Sequence, residues 1–147
     1  MSLKRIEDYS KNLPVLELYT AVQSEGSRQG YPTIVVRTTG CTHRCYFGEG
    51  GWCDSWYTSI HPEKGQYTFQ DIIDMYDKHP HIKEMMLTGG SPTMHPALVN
   101  ELTHFAHEKG IFITIKLKEV ISSPQIILLI SYLLALSFLI LYQNLVS

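Results

Sequence analysis

Hydrophobic and polar positions between residues 14 and 115 alternate between the period of strands and the period of helices. Short, β-branched apolar runs bounded by Pro or Gly predict strands at Val15–Leu18 and Thr33–Val36. Two later runs predict strands at Met85–Leu87 and Ile111–Ile115. A segment of helical periodicity precedes each of these later strands, so the predicted order is β-β-α-β-α-β.

Two amphipathic helices are predicted around the third strand. The first, Thr68–Lys78, opens with Thr68 and Asp71 in a near capping box. Its apolar residues recur at helical spacing: Phe69, Ile72, Ile73 and Tyr76. The second helix has Pro96 in its first turn and stops at Gly110. Strands separated by such helices favour right-handed crossovers and a parallel sheet, so the predicted fold class is α/β, with reactive groups on loops that follow the strands.

The composition is that of an ordinary globular domain. Of the 147 residues, 44% are hydrophobic and 18% are charged, and the formal net charge is -2. This balance leaves no broad basic face for nucleic acid, so we expect no nucleic-acid partner. Residues 1–10 lack the apolar segment of a secretory signal, and the three closely packed cysteines do not resemble a secreted disulfide framework. We therefore expect a cytoplasmic protein.

Three cysteines, Cys41, Cys45 and Cys53, follow the second predicted strand on a Gly-rich loop. Glycine lets a backbone wrap closely around a ligand, which favours a metal site over three isolated thiols. One possible metal is zinc, with His43 or His61 as the fourth ligand. The other is a 4Fe-4S cluster held by three thiolates, which leaves one iron open to a substrate or cofactor.

An open iron suits S-adenosylmethionine (SAM), which can chelate it through its amine and carboxylate. An electron from the cluster would then cleave a carbon–sulfur bond and release a 5′-deoxyadenosyl radical. The loop Thr88–Pro92 fits this chemistry because its Gly pair exposes backbone amides and carbonyls that can hold an amino-acid moiety. An ordinary strand-to-helix turn is the alternative interpretation of that loop.

Four segments together resemble a radical SAM enzyme, and more narrowly the 7-carboxy-7-deazaguanine synthases of queuosine and deazapurine biosynthesis. In family order they are PVLELYTAVQSEG (14–26), TIVVRTTGC (33–41), WCDSW (52–56) and LTGGSP (87–92). The resemblance implies the N-terminal part of a partial (β/α) barrel with parallel strands. It also implies a lyase that converts 6-carboxy-5,6,7,8-tetrahydropterin to 7-carboxy-7-deazaguanine by a radical ring contraction with loss of ammonia.

The resemblance also implies roles for single residues. The three cysteines would hold the 4Fe-4S cluster, Gly90 would contact SAM, and Ser55 would offer its hydroxyl to Mg²⁺, which prefers oxygen ligands. The substrate would be held by five residues: Val22, Gln23, Ser24, Arg37 and Thr88. Arg37 suits the pterin carboxylate because a guanidinium matches a carboxylate bidentately. The implied partners are the pterin, an electron donor such as flavodoxin and a second copy of the chain in a homodimer.

Several of these residues also have a structural interpretation. Arg37 could be a surface charge at a strand end, and Ser55 a helix or turn cap. Gln23 and Glu25 could be solvated loop residues, and Asp54 is expected to be structural. The histidines show no shared spacing, and we expect them on the surface or as caps: His43, His61, His79, His81, His95, His104 and His107.

The chain departs from the family pattern in three places. Seven residues separate Cys45 from Cys53 where members commonly have two, so Phe47–Gly51 resembles an inserted loop. Ser91 follows the Gly pair where an acidic residue is common. Nothing after Ile115 matches, which divides the chain into a radical SAM core at residues 1–115 and an apolar tail at 116–147.

The apolar tail has three interpretations. No charged residue occurs from Val120 onward, and Ile126–Tyr142 is almost wholly apolar. We favour a frameshift, because suitable synonymous codons for Lys116–Leu129, with one G restored, read ETEGSHFLPTDYPI. The ETEG of that reading resembles the stretch that the family places after this strand, and the present chain would then lack later strands and be inactive. The alternatives are a transmembrane anchor at the short limit for a bilayer and a buried helix.

The residues leave two other functions open. One is a radical activase that uses the same cluster on another substrate. The other is a zinc-stabilised binding module that the tail tethers to a membrane. Iron and sulfide content separates the radical enzymes from the zinc module, and the nucleotide sequence around codon 116 tests the frameshift.

Overall fold

A four-stranded sheet organises the fold. In this computed structural model, which describes residues 6–43, 53 and 55–117, the strands lie in the order β1-β2-β3-β4. Their bounds are β1 Val15–Val22, β2 Pro32–Thr38, β3 Glu84–Gly89 and β4 Phe112–Ile115. All four predicted strands are therefore confirmed, and β1, β2 and β3 extend beyond the apolar runs that predict them.

The first strand runs against the direction of the other three. β1 pairs antiparallel with β2, whereas β2, β3 and β4 pair in parallel. The prediction of a parallel sheet is thus right for β2 to β4 and wrong for β1. No helix long enough for a crossover separates β1 from β2, so the chain returns through a hairpin at residues 23–31, and a hairpin joins antiparallel strands.

The helices are α1 Trp56–Ser59, α2 Phe69–Lys78 and α3 Pro96–Glu108. At the start of α2, the Thr68 side chain accepts a hydrogen bond from the Asp71 amide and the Asp71 side chain accepts one from the Thr68 amide. This is the predicted capping box. Both predicted helices are confirmed, whereas the four residues of α1 are too few to show a helical period.

The hydrophobic core lies between one face of the sheet and helices α2 and α3. Its fully buried members come from all of these elements: Ile34, Val36, Met85, Leu87, Ile72 and Leu102. Burying each such side chain stabilises the fold by about 2 kcal/mol. Because side chains alternate along a strand, the residues between these core positions point to the other face of the sheet.

The β1–β2 hairpin covers part of that second face. Arg28 Nε donates to Glu84 Oε1 at 3.1 Å, and the guanidinium lies 4.0 Å from the ring centre of Tyr31 and 4.7 Å from that of Phe112. Glu84 and Phe112 are the first residues of β3 and β4. The hairpin therefore reaches across the sheet to its fourth strand.

Some predictions concern residues outside the described ranges. They are the ligand role of Cys45, the structural role of Asp54, the inserted loop Phe47–Gly51 and the interpretations of the tail after residue 117. These stay predictions. Within residues 6–43, 53 and 55–117, no helix combines the length and the apolar character that crossing a bilayer requires.

Candidate functional site

Two loops meet at the carboxyl ends of β2 and β3. The amide of Gly90 donates to the carbonyl oxygen of Thr38 at 3.1 Å, and the amide of Ser91 donates to that of Gly40 at 2.8 Å. Thr38 is the last residue of β2, and Cys41 follows it by three positions. The parallel pairing of β2 with β3 thus brings the cysteine loop against the Gly89–Gly90 loop.

The Gly pair is required by the closeness of the two backbones. A Cβ atom at Gly89 would lie 2.2 Å from the carbonyl oxygen of Thr38, and one at Gly90 would lie 2.2 Å from that of Gly40. Gly89 also has a φ of 125°, a conformation that side chains rarely adopt. The loop after β3 therefore differs from an ordinary strand-to-helix turn, because both glycines pack directly on the segment that leads to Cys41.

Helix α1 contacts both the residue before Cys41 and the thiol of Cys53. Gly40, next to Cys41, donates its amide hydrogen to the carbonyl oxygen of Thr58 at 2.7 Å. Ser59, the next residue of α1, donates from Oγ to Cys53 Sγ at 3.6 Å. Both thiols are partly buried. The short helix thus connects the first and last cysteines of the predicted cluster loop.

The donor chemistry of these two cysteines fits an iron–sulfur cluster. Sulfur ligands of clusters accept hydrogen bonds, which tune the cluster potential. Cys41 Sγ accepts from the His43 amide at 3.4 Å, and Cys53 Sγ accepts from Ser59. Among the described residues, which do not include Cys45, no three Cys, His, Asp or Glu side chains form a ready ligand group. Two of the three predicted ligands can therefore be placed, and the ligand role of all three stays a prediction.

The histidines that could complete a zinc site are placed differently. His43 Nδ1 lies 3.9 Å from Cys41 Sγ. His61 is exposed, and its ring packs edge-on against Trp56 with the ring centres 6.2 Å apart. Of these two histidines, His43 is therefore the one whose ring lies close to a cysteine of the described residues.

Ser55, the residue with a predicted Mg²⁺ role, occupies the N-cap position of α1. Its side chain makes no capping hydrogen bond, although its carbonyl oxygen accepts from the Thr58 amide at 2.9 Å and from Thr58 Oγ1 at 2.8 Å. The serine stands two positions after Cys53. Its position is that of a cap, but its hydroxyl does not act as one.

Arg37 and Thr88 lie side by side on the face of the sheet opposite the core. They are cross-strand partners in β2 and β3, and Glu17 of β1 is the partner of Arg37 on its other side. The three residues therefore form a polar row across three strands, near the carboxyl ends of β2 and β3. Of the predicted substrate residues, Arg37 and Thr88 are the two that the sheet brings together.

The Arg37 guanidinium is partnered within the chain. It forms an ion pair with Glu17 through Nε, and Nη2 donates to the Tyr19 hydroxyl at 3.2 Å. The side chain is 19% exposed, so it is not a solvated surface charge. Burial alone would lower the pKa of Arg37, but the hydrogen bonds with Tyr19 and Glu17 raise it above its ordinary value. Arg37 is therefore a fixed cation on this face.

Val22, Gln23 and Ser24 lie at the other end of β1. Val22 pairs with Pro32, the first residue of β2, which is roughly 20 Å along the strand from Thr38. Val22 and Ser24 are exposed, whereas Gln23 is 2% exposed and its Oε1 has no hydrogen-bond partner within residues 6–43, 53 and 55–117. Gln23 is therefore not a solvated loop residue, and its buried acceptor lacks the partner that buried polar groups usually have.

Glu25 connects the hairpin to the end of β4. Its carboxylate lies 2.9 Å from Lys116 Nζ, and the Lys116 amide donates to the carbonyl oxygen of Leu87 at 2.9 Å. Lys116 therefore continues the pairing of β4 beside Thr88. Through this contact the hairpin approaches the polar row of Glu17, Arg37 and Thr88. The register of β1 with β2 alone would place the hairpin at the opposite end of these strands.

Two residues of the site have no signal in the sequence pattern. Glu17, the partner of Arg37, is one polar position among several on β1. His95, expected on the surface or as a cap, is partly buried, and its Nε2 lies 2.6 Å from the carbonyl oxygen of Thr39. Both act through contacts with distant residues, which periodicity does not predict.

Sequence comparison finds curated relatives that are named 7-carboxy-7-deazaguanine synthase. No family model matches the chain. The chain is 38% identical to the 7-carboxy-7-deazaguanine synthase of Halobacterium salinarum over 94 residues, which are 64% of this chain and 35% of that protein. It is 33% identical to the 7-carboxy-7-deazaguanine synthase of Rhodopirellula baltica over 89 residues, 60% of this chain and 32% of that protein. The chain thus spans about a third of the length of these curated relatives.

Structure comparison finds a matching fold. The crystal structure of QueE from Escherichia coli aligns with a TM-score of 0.54 and 20% identity, over 72% of this chain and 52% of that chain. This likeness confirms the α/β fold and the partial barrel. Over the segment that it shares with the two curated relatives, the chain is similar in sequence to 7-carboxy-7-deazaguanine synthases.

Proposed function

We propose that this chain carries the cluster-binding and SAM-binding part of a radical enzyme that converts 6-carboxy-5,6,7,8-tetrahydropterin to 7-carboxy-7-deazaguanine. The observation that carries the proposal is the direct contact between the Cys41 loop and the Gly89–Gly90 loop, with Arg37 and Thr88 paired beside it. The names of the two relatives supply the product, and the sequence resemblance implies the carboxypterin substrate. The product would enter queuosine or deazapurine biosynthesis.

Cys41, Cys45 and Cys53 would hold a 4Fe-4S cluster with one iron left open. The cluster would supply the electron that cleaves a carbon–sulfur bond of SAM. The hydrogen bonds to Cys41 Sγ and Cys53 Sγ would stabilise thiolate character at both ligands. Backbone groups at Gly90 would hold the amino-acid moiety of SAM, since no side chain fits between Gly90 and Gly40.

The substrate would lie on the face of the sheet opposite the helices. Arg37 would bind the pterin carboxylate, and Thr88, its neighbour across the strands, would contact the same molecule. At the hairpin, the buried Gln23 Oε1 would accept a hydrogen bond from the pterin, and the backbone of Val22 and Ser24 would line the same end. Because Glu17 already pairs with Arg37, the carboxylate would share that guanidinium with it.

The remaining roles complete the proposed enzyme. Ser55 would offer its hydroxyl to Mg²⁺, since it stands two positions after Cys53 and Mg²⁺ prefers oxygen ligands. An electron donor such as flavodoxin would reduce the cluster. The intact enzyme would be a cytoplasmic lyase and a homodimer.

Anaerobic reconstitution tests the proposal. The full chain is incubated with ferrous iron and sulfide, reduced with dithionite, and supplied with SAM, Mg²⁺ and 6-carboxy-5,6,7,8-tetrahydropterin. We expect about four irons and four sulfides per chain, both in this chain and in one whose reading frame is restored at codon 116, and 7-carboxy-7-deazaguanine by mass spectrometry from the restored chain. The matched control is Cys41→Ala, which should lose both.

Two results would contradict different parts of the proposal. A chain that binds zinc without sulfide would exclude the cluster. A restored-frame chain that holds the cluster and cleaves SAM, but leaves the carboxypterin unchanged, would exclude the substrate.

A further inference from the structure

His95 contacts the segment that leads into Cys41. The imidazole Nε2 lies 2.6 Å from the carbonyl oxygen of Thr39, a residue 56 positions earlier in the chain. A carbonyl oxygen only accepts hydrogen bonds, so Nε2 carries the proton and donates. The ring is partly buried, which protects this bond from competition with water.

This bond is one of three that join the consecutive residues 38–40 to residues 90–95. The carbonyl oxygens of Thr38, Thr39 and Gly40 each accept a hydrogen bond from residues 90–95. Two of the donors are backbone amides, at Gly90 and Ser91, and the third is the His95 side chain. His95 is therefore the side chain through which a substitution can loosen this contact without altering the backbone donors.

Other roles for His95 fit its surroundings less well. It occupies the N-cap position of α3 but makes no side-chain capping bond to that helix. Among residues 6–43, 53 and 55–117, no group of three His, Cys, Asp or Glu side chains forms a metal site that includes His95. The described hydrogen bond of the His95 ring is therefore with Thr39, in the turn before Cys41.

We propose that His95 is a positioning residue, which fixes the turn before Cys41 so that the cluster loop and the SAM loop keep one relative position. The inference rests on the proposed function, since it concerns the same cluster. Gly40 in that turn has a φ of 88°, and because glycine adopts many conformations at similar cost, its intrinsic backbone preference does little to fix the turn. The bond from His95 supplies a constraint that the sequence of the turn lacks.

A pair of amide variants tests the inference. His95→Gln keeps a nitrogen donor the same number of bonds from Cβ as Nε2, whereas the amide of His95→Asn ends one bond short. His104→Gln is the matched control, because His104 is a partly buried histidine of the same helix. Each full chain is reconstituted with iron and sulfide, then challenged with an iron chelator while the cluster absorbance is followed.

We expect the cluster of His95→Asn to be lost about three- to tenfold faster than that of the wild type, the range for losing one intramolecular hydrogen bond. His95→Gln should restore the wild-type rate, and His104→Gln should not change it. The electron paramagnetic resonance spectrum of the reduced cluster should respond to SAM at higher SAM concentration in His95→Asn. A higher SAM concentration for the same spectral response would show that the relative position of the cluster loop and the SAM loop has changed.

The outcomes separate this inference from the proposed function. If the wild-type chain forms no cluster, the proposed function fails and the inference fails with it. If the wild-type chain forms the cluster and His95→Asn holds it equally well, the inference alone is overturned. Equal loss of apo-protein stability in both His95 variants, measured in urea, would also overturn it, because His95 would then support only the fold.

Discussion

Gly90 packs directly on Gly40, so closely that a Cβ on Gly90 would lie 2.2 Å from the Gly40 carbonyl oxygen and 2.8 Å from that of Thr58. We predict that Gly90→Ala destabilises the fold by about 3 kcal/mol and abolishes SAM binding, because backbone atoms cannot move aside as flexible side chains can. Urea denaturation of the apo protein and equilibrium binding of SAM measure the two effects.

Gly110→Ala is the control for this prediction. Gly110 has a φ of 63° and nothing within 4 Å of an added Cβ, so the cost there is backbone strain of about 1 kcal/mol. Gly110 lies at the end of α3, opposite the carboxyl end of the strands. SAM binding that survives Gly90→Ala would show that the two loops need not touch.

The elements that local patterns predict are the ones whose stabilising contacts are local. Helix α2 follows from apolar spacing and from the Thr68–Asp71 box, both within a few residues. The neighbourhood of Arg37 and Thr88 follows from the rule that carboxyl ends of parallel strands share an edge. These features require no knowledge of how distant segments pack.

The features that the patterns miss depend on distant contacts. β1 runs antiparallel because of the hairpin at 23–31, whose Arg28 reaches Glu84 on β3. The His95–Thr39 bond joins residues 56 positions apart. Neither contact leaves a period or a short motif, so only the folded arrangement reveals them.

Arg37 gives a second prediction, since its guanidinium is the fixed cation beside Thr88. We expect Arg37→Gln to weaken binding of the carboxypterin by roughly 30-fold, because a charge-assisted hydrogen bond to a carboxylate contributes about 2 kcal/mol. Glu17→Gln should bind at least as tightly as the wild type, because a neutral amide competes less for the guanidinium. Titration calorimetry with the carboxypterin measures both.

Tyr19→Phe serves as the control for Arg37. It removes only the hydroxyl that accepts from Nη2 and leaves the Glu17 ion pair in place. Unchanged affinity in Arg37→Gln would remove Arg37 from the substrate site.

The capping box gives a prediction about pH. The backbone amide of Thr68 donates to Asp71 Oδ2 at 2.7 Å, and the Thr68 hydroxyl does the same at 2.7 Å. These bonds lower the pKa of Asp71 below 3.8 in the folded state. The stabilisation is therefore complete above pH 3.8 and is lost as the pH falls through the lowered pKa.

We expect Asp71→Asn to lower the free energy of unfolding by about 1 kcal/mol at pH 7 and to reduce the acid dependence near that pKa. Asp74→Asn is the control, since Asp74 accepts a hydrogen bond from the Gln70 side chain within the same helix. Denaturation curves at several pH values test this. If the free energy of unfolding depends on pH in the same way in Asp71→Asn and in the wild type, the capping box does not contribute to that dependence.

The hairpin contact between Arg28 and Glu84 gives a last prediction, about what holds residues 23–31 on the sheet. The Glu84 side chain is 6% exposed and that of Arg28 is 30% exposed, so removing the cation leaves a carboxylate buried without its partner. We expect Arg28→Met to lower the urea midpoint more than Glu84→Met does, because only the first variant leaves a buried charge without its partner.

The double variant Arg28→Met with Glu84→Met should recover much of the loss, since apolar side chains can replace a buried pair. Lys11→Met, which removes an exposed ion pair with Asp8, should leave the midpoint nearly unchanged. A double variant no more stable than Arg28→Met would show that the hairpin needs the guanidinium itself, stacked between Tyr31 and Phe112, rather than a compensated charge.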